Sequence, residues 1–139
     1  AYEIPKRDWS SDVCSSDLLT YAEAQNEASG PDQSVYDAIN QLRRRPDINM
    51  PEVPKGLTKD QMREVIRRER RIELTFEGLY YSDILRWKTA EKENNGMMHN
   101  YDGIEVVKRS FNPKRDYLWP IPYNQTVLNP NLEQNPNWD

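Results

Sequence analysis

Between Val65 and Trp87 the sequence reads VIRRERRIELTFEGLYYSDILRW, and no other stretch constrains the fold as tightly. At about 100° per residue, Met62, Val65, Ile66, Ile72, Phe76, Leu79 and Tyr80 fall on one side of a helix that runs on past Gly78. Glu69 and Glu73 fall in the middle of that apolar stripe, while Arg63, Arg67, Arg68, Arg70 and Arg71 fan around the rest. A carboxylate facing a core is costly unless paired and hydrogen-bonded, because burial penalises the charged form. Two carboxylates one turn apart also repel each other. Glu69 and Glu73 are therefore expected to meet cations or backbone donors from elsewhere in the protein.

Two readings of that pair stand side by side. One is an acid/base or metal-binding site of two carboxylates on one helix face, as a hydrolase would use. The other is a buried ionic clamp whose partner is Arg86 or an arginine of a neighbouring helix. The clamp is the stronger reading, since no histidine or cysteine lies nearby to complete a catalytic or metal set. Nucleic-acid binding is weaker still: the arginines surround the helix and alternate with Glu64, Glu69 and Glu73, whereas a phosphate-tracking face is mostly of one sign.

Thr58 and Gln61 have capping-box spacing and mark the start of this helix. A second helix is predicted from Tyr80 to about Glu93, ended by Asn94, Asn95 and Gly96. Upstream, Leu19 to Ala28 reads as a helix with Leu19, Ala22 and Tyr21 inward, broken by Gly30 and Pro31. A further helix runs from about Asp32 to Arg45, with Val35, Ala38, Ile39 and Leu42 at helical spacing and Pro46 at its end. The short connection folds these two into an antiparallel hairpin. Ala22, Ala24 and Ala38 let them approach closely, in the manner of tetratricopeptide-type hairpins, whose stability needs stacked neighbours. Asp47 to Gly56 is a proline-punctuated linker. A short strand is predicted at Ile104 to Val107 within an otherwise irregular Gly96 to Arg115. From Asp116 onward, Pro120, Pro122, Pro130 and Pro136 forbid helix through most of the tail. Its apolar residues Tyr117, Leu118, Trp119, Ile121 and Tyr123 are expected to lay it across the helices as a strap. The expected fold is thus mainly α: a tetratricopeptide-like hairpin, a broken long helix and an irregular proline/aromatic C-terminal strap.

One stretch stands apart. Asp8 to Leu18, DWSSDVCSSDL, has no helical or strand period, and it matches one reading frame of a common sequencing-library adapter codon for codon. It is read as a translated adapter remnant, so residues 1–18 are expected to be a non-native leader and 19–139 the protein proper. The single cysteine, Cys14, lies inside this stretch, so no redox or nucleophile argument rests on it. Trp9 likewise is not a binding aromatic. Without Asp8, Asp12 and Asp17 the acids fall from 23 to 20 against 19 Lys and Arg, and the formal net charge moves from -4 to -1. Acidity therefore says nothing about partners. With 36% hydrophobic residues and a mean hydropathy of -1.01, the chain is poor in core-forming side chains. No apolar run is long enough for a signal peptide or membrane span. The opening without an initiator methionine leads us to expect a chain cut from a longer one.

Tyr80, Tyr81, Trp87, Trp119, Tyr123 and Trp138 invite a carbohydrate reading, since flat rings pack on the apolar faces of sugars. The structural alternative is that they anchor the strap to the helices. For Trp119, between Leu118 and Pro120, anchoring is the better reading; for Trp138 the two are balanced. His99 is the sole histidine, so no catalytic triad or multi-histidine metal site is available. Nor is there a glycine-rich phosphate loop.

Three motifs in order, LLTYAEAQNEASG with VYDAINQLRRR, then RRERRIELTFEGLYYSDILRW, then YLWPIPYNQTVLNPNLEQNPNW, resemble the C-terminal portion of the SusD/RagB family from Leu19 onward. That resemblance implies a mainly helical fold and a cell-surface nutrient-binding component, for glycan or peptide, that caps a SusC-like TonB-dependent outer-membrane transporter. It implies no enzyme activity, no cofactor, no metal and no nucleic-acid partner. The expected location is the outer surface of the outer membrane in Bacteroidetes-type bacteria, through a lipid anchor on an N-terminal part not present here. The matching motifs are scaffold motifs, so no ligand-binding residue transfers and no catalytic residue is assigned. A free-standing helical-hairpin interaction module is the alternative that Leu19 to Arg45 alone would satisfy.

Overall fold

The computed structural model describes residues 14–46 and 48–138, so Trp9 and the first part of the adapter-like stretch lie outside it. The chain is mainly helical and divides into two compact units, one ending at Glu77 and one beginning at Gly78.

In the first unit, helix α1 spans Ser15–Ser29 and so starts one turn before the predicted Leu19. Its first turn is the end of the adapter-like stretch, and Leu18 lies against the unit's core. Gly30, at φ 87°, stops the helix, and its N–H bonds to the Asn26 carbonyl at 2.9 Å. Only glycine takes that left-handed turn without a Cβ penalty. Helix α2 (Gln33–Arg43) is capped by Asp32, whose Oδ1 accepts from the Ser34 and Val35 amides at 2.9 and 3.2 Å. Gln25 of α1 donates to the other Asp32 oxygen at 2.7 Å, so the cap also ties the hairpin turn to its first helix. Tyr21, predicted inward, is half exposed, because its hydroxyl reaches across to Ser34 at 2.8 Å.

Helix α3 (Lys59–Glu73) carries the predicted capping box: Thr58 N–H donates to Gln61 Oε1 at 2.9 Å and Gln61 N–H to Thr58 Oγ1 at 3.3 Å. It runs antiparallel to α1, its start beside Asn26 and Glu27 and its end beside Thr20. Ala22, Val35, Ala38, Ile39, Met62 and Ile66 form one buried cluster, joined by Val53 from the linker. Each large member stabilises the unit by about 1.5–3 kcal/mol through burial. The hairpin is therefore not free-standing, since α3 and the linker complete its core.

The apolar stripe ends sooner than the sequence implied. The chain leaves the helix at Leu74, which is buried, and turns through Phe76 at φ 70° and Gly78 at φ 77°. Ile72 and Phe76 therefore point to solvent, at 56% and 103% exposure, and Leu79 is also exposed.

In the second unit, the predicted Tyr80–Glu93 helix is split into α4 (Tyr80–Arg86) and α5 (Ala90–Glu93) by Lys88 at φ 58°. The break sets the Lys88 ammonium 4.2 Å over the Tyr117 ring, a cation–π contact that continuous helix would forgo. Ile84, Ala90 and Phe111 form a small core flanked by Tyr80, Leu85, Trp87 and Tyr117. The Asn95 side chain clips it shut, accepting from Phe111 N–H at 2.7 Å and donating to the Glu91 carbonyl at 2.7 Å. Strand β1 (Gly96–His99) pairs antiparallel with β2 (Glu105–Arg109), Gly96 opposite Arg109, with a bulge between Met98 and His99. The predicted strand is present, shifted by one residue at its start, together with a partner that was not predicted. The tail corrects the expectation of extended chain: α6 (Tyr123–Leu128) fills the proline-free interval between Pro122 and Pro130.

Candidate functional site

The two stripe carboxylates meet arginines from the end of α2. Arg43 Nη2 donates to Glu69 Oε1 at 2.5 Å, and both side chains are largely buried. Arg45, two residues on, grips Glu73 with two bonds of 2.7 and 2.6 Å. The fork of a guanidinium matches a carboxylate in this two-point geometry. Arg43 also donates to the Pro51 carbonyl at 2.9 Å, drawing the linker over the clamp. Arg86, which the sequence also offered as a partner, bonds Asp83 within α4 at 3.0 Å.

A second ionic group was not foreseen. Glu27 at the end of α1 receives two Arg63 bonds, at 2.5 and 2.7 Å, while Arg63 also bonds Asp60. Those hydrogen bonds, outweighing the opposing effect of burial, hold the Glu27 carboxyl below the usual glutamate range. Asn26 and Asn40 are buried polar residues that sequence patterning also missed. Asn26 Nδ2 donates to the Lys59 carbonyl at 3.1 Å, and Asn40 Oδ1 accepts from Val53 N–H at 2.9 Å. Each fixes a segment distant in sequence, so no local signal marks it.

The tail aromatics differ in how they are held. Trp138, near the chain end, is an anchor: its indole N–H donates to the Leu118 carbonyl at 2.9 Å and Arg115 covers its ring at 4.5 Å. Trp119 is the open one, 70% exposed, touching Tyr81 edge-on with ring centroids 6.1 Å apart. Tyr117 makes the contact expected of a strap residue, crossing Phe111 at 4.8 Å.

Chemically, this is a scaffold whose stripe acids are neutralised internally. Among the described residues no group of three His, Cys, Asp or Glu side chains is placed to hold a metal ion, and no helix is long and apolar enough to cross a membrane. Cys14 and His99 are exposed. The arrangement defines a mainly α-helical protein built from short clamped helices with an aromatic, amide-rich tail.

Comparison with known proteins names that class. Residues 16–138 match the SusD family, and the chain belongs to it. It is 34% identical over 123 residues to SusD-like protein P2 of Formosa agariphila, covering 85% of this chain and 23% of that protein. Among solved structures, a SusD-like carbohydrate binding protein from Bacteroides fragilis superposes with a TM-score of 0.76 at 34% identity, over 86% of this chain and 27% of that one. A SusD homolog from Bacteroides thetaiotaomicron gives 0.70 at 33% identity, over 89% and 26%. The chain thus spans about a quarter of the length of these relatives.

Proposed function

We propose that this chain is part of a cell-surface nutrient-binding protein, for glycan or peptide, that caps a SusC-like TonB-dependent transporter at the outer membrane. Membership of the SusD family over residues 16–138 carries the reading. A relative described as carbohydrate binding adds to it. The role is capture and hand-over, not catalysis: the acids that could have formed a hydrolytic pair, Glu69 and Glu73, are held by Arg43 and Arg45. In the full-length protein a lipid anchor holds the assembly at the outer surface. Residues 8–18 belong to a translated adapter under the same reading, and resequencing the locus from unfragmented DNA tests that; the same codons in place would end it.

The functional test uses the full-length protein, tagged at its native locus. It is expected to co-purify with an outer-membrane barrel transporter and to bind an oligosaccharide or peptide saturably in calorimetry without converting it. Recovery with no barrel partner, or chromatographic turnover of the bound compound, would overturn the proposal.

A further inference from the structure

We infer that Asn95 is a self-modifying site: its side-chain amide converts spontaneously to a carboxylate when the second unit opens, and the change keeps that unit from closing as before. Asn95 is the one asparagine of the chain followed by glycine. Gly96 has no side chain to shield its backbone nitrogen, so that nitrogen can reach the Asn95 Cγ. The attack forms a Cγ–N bond, closing a cyclic imide, and breaks Cγ–Nδ2. The Gly96 N–H proton passes through solvent to the departing nitrogen, which leaves as ammonia. Water then opens the imide. Cleavage at Cγ gives aspartate on the original backbone; cleavage at the Asn95 carbonyl carbon gives isoaspartate, with the main chain routed through the former side chain. Neither step needs an oxidant, a metal or an enzyme.

The fold holds this reaction back. Asn95 Oδ1 accepts from Phe111 N–H at 2.7 Å, while Nδ2 donates to the Glu91 carbonyl at 2.7 Å and to the Phe111 carbonyl at 3.4 Å. A donor at one end and carbonyls at the other fix which way the amide points. These bonds keep the carboxamide on the edge of the small core around Phe111, which is buried. Ring closure has to break them and to free the Gly96 backbone, which stands opposite Arg109 in the hairpin. What releases the reaction is therefore local opening of this unit. Every group involved belongs to residues 78–139, and the restraint depends on these internal bonds rather than on any outer face.

The product cannot rebuild the clip. An ionised carboxylate has no proton to give, so the Glu91 and Phe111 carbonyls lose their donor and face negative charge instead. Glu91 and Glu93 already stand in the turn just before it, so the new charge is added among like charges. Isoaspartate also lengthens the backbone by a methylene immediately before β1, displacing Gly96 from its register with Arg109. Opening thus leaves a permanent mark, and a marked chain opens more readily than it did before.

The test incubates the whole chain in mildly alkaline buffer, with and without denaturing guanidinium chloride. Peptide mass and isoaspartate-specific methylation follow the conversion at each asparagine. In the unfolded chain Asn95 is expected to convert faster than any other asparagine, and in the folded chain at least about tenfold more slowly than in the unfolded one. Phe111→Ala loosens the core without touching the Asn95–Gly96 peptide, and should bring the rate in native buffer close to the unfolded one. Chains aged in native buffer and separated by ion exchange should show the Phe111 amide exchanging at least about fivefold faster in the modified fraction than in the unmodified one. Equal rates in folded and unfolded chains overturn the inference, as does an unfolded chain in which Asn95 stays intact or is outpaced by another asparagine. So does a Phe111→Ala chain that converts no faster than the wild type, or a modified fraction whose Phe111 amide is protected as before.

Discussion

Arg43 and Glu69 are more deeply hidden from water than Arg45 and Glu73, whose arginine side chain is 34% exposed. Arg43 Nε is itself buried without a partner, so its guanidinium depends on Glu69 and the Pro51 carbonyl. Glu69→Gln leaves a buried cation uncompensated and is expected to destabilise by about 3 kcal/mol, near the lower end for breaking a buried pair. Glu73→Gln should cost about 1 kcal/mol or less, as for a partly exposed pair. Urea denaturation of both variants checks the ranking; equal losses would show that burial does not set the difference. That the stripe acids needed arginines was legible from helical periodicity. Which arginines answered was not, because the partners lie 26 and 28 residues upstream, and packing brings them together. Glu27 supplies the pH prediction. Arg63 depresses its pKa in the native state, so the unfolded chain takes up the proton first as pH falls. Its stabilisation is complete above the ordinary glutamate value of about 4.3 and is lost below it. The melting temperature should therefore fall more steeply below that pH in the wild type than in Glu27→Gln, and parallel curves would count against the pairing.

Short-range chemistry governs some elements and long-range contacts govern others, and legibility follows that division. The start of α3 depends on Thr58 and Gln61, three residues apart, and was readable directly. Its end was not: Phe76, placed by periodicity on the core face, sits in a left-handed turn in solvent. β1 escaped notice because Gly96, Met97, Met98 and His99 include no β-branched residue, whereas β2, exposed along its length as well, carries Val106 and Val107. The balance between the two readings of Trp138 could not be settled from sequence, since only the folded tail shows that its indole reaches the Leu118 carbonyl. Removing the α3 cap with Thr58→Ala is expected to cost about 1 kcal/mol. Asn95→Ala should cost about 1–3 kcal/mol, because it leaves the Phe111 amide and the Glu91 carbonyl without their partner. The two losses are also distinguishable by place: amide exchange should quicken around Met62 in the first variant and around Phe111 in the second. Quickening at both places in either variant would show that the two elements are not locally stabilised.

At the scale of the molecule, the two units differ in how much they bury. The first has eight buried residues in one cluster, from Ala22 to Ile66, reinforced by the Arg43–Glu69 and Arg45–Glu73 pairs. The second has three, Ile84, Ala90 and Phe111, for a segment of similar length. Ordering each residue costs about 1–2 kcal/mol of backbone entropy, against about 1.5–3 kcal/mol for each large side chain fully buried. The second unit therefore relies more on side-chain clips such as Asn95, Gln134 and Asn135, each bond contributing about 1 kcal/mol net. Native-state exchange follows such differences in local opening. The amides of Ile84 and Phe111 should exchange at least about tenfold faster than those of Ile39 and Ile66, a difference of roughly 1.4 kcal/mol in opening free energy. Equal protection of both cores would mean that they open together, and the difference in buried side chains would then not govern the stability of either.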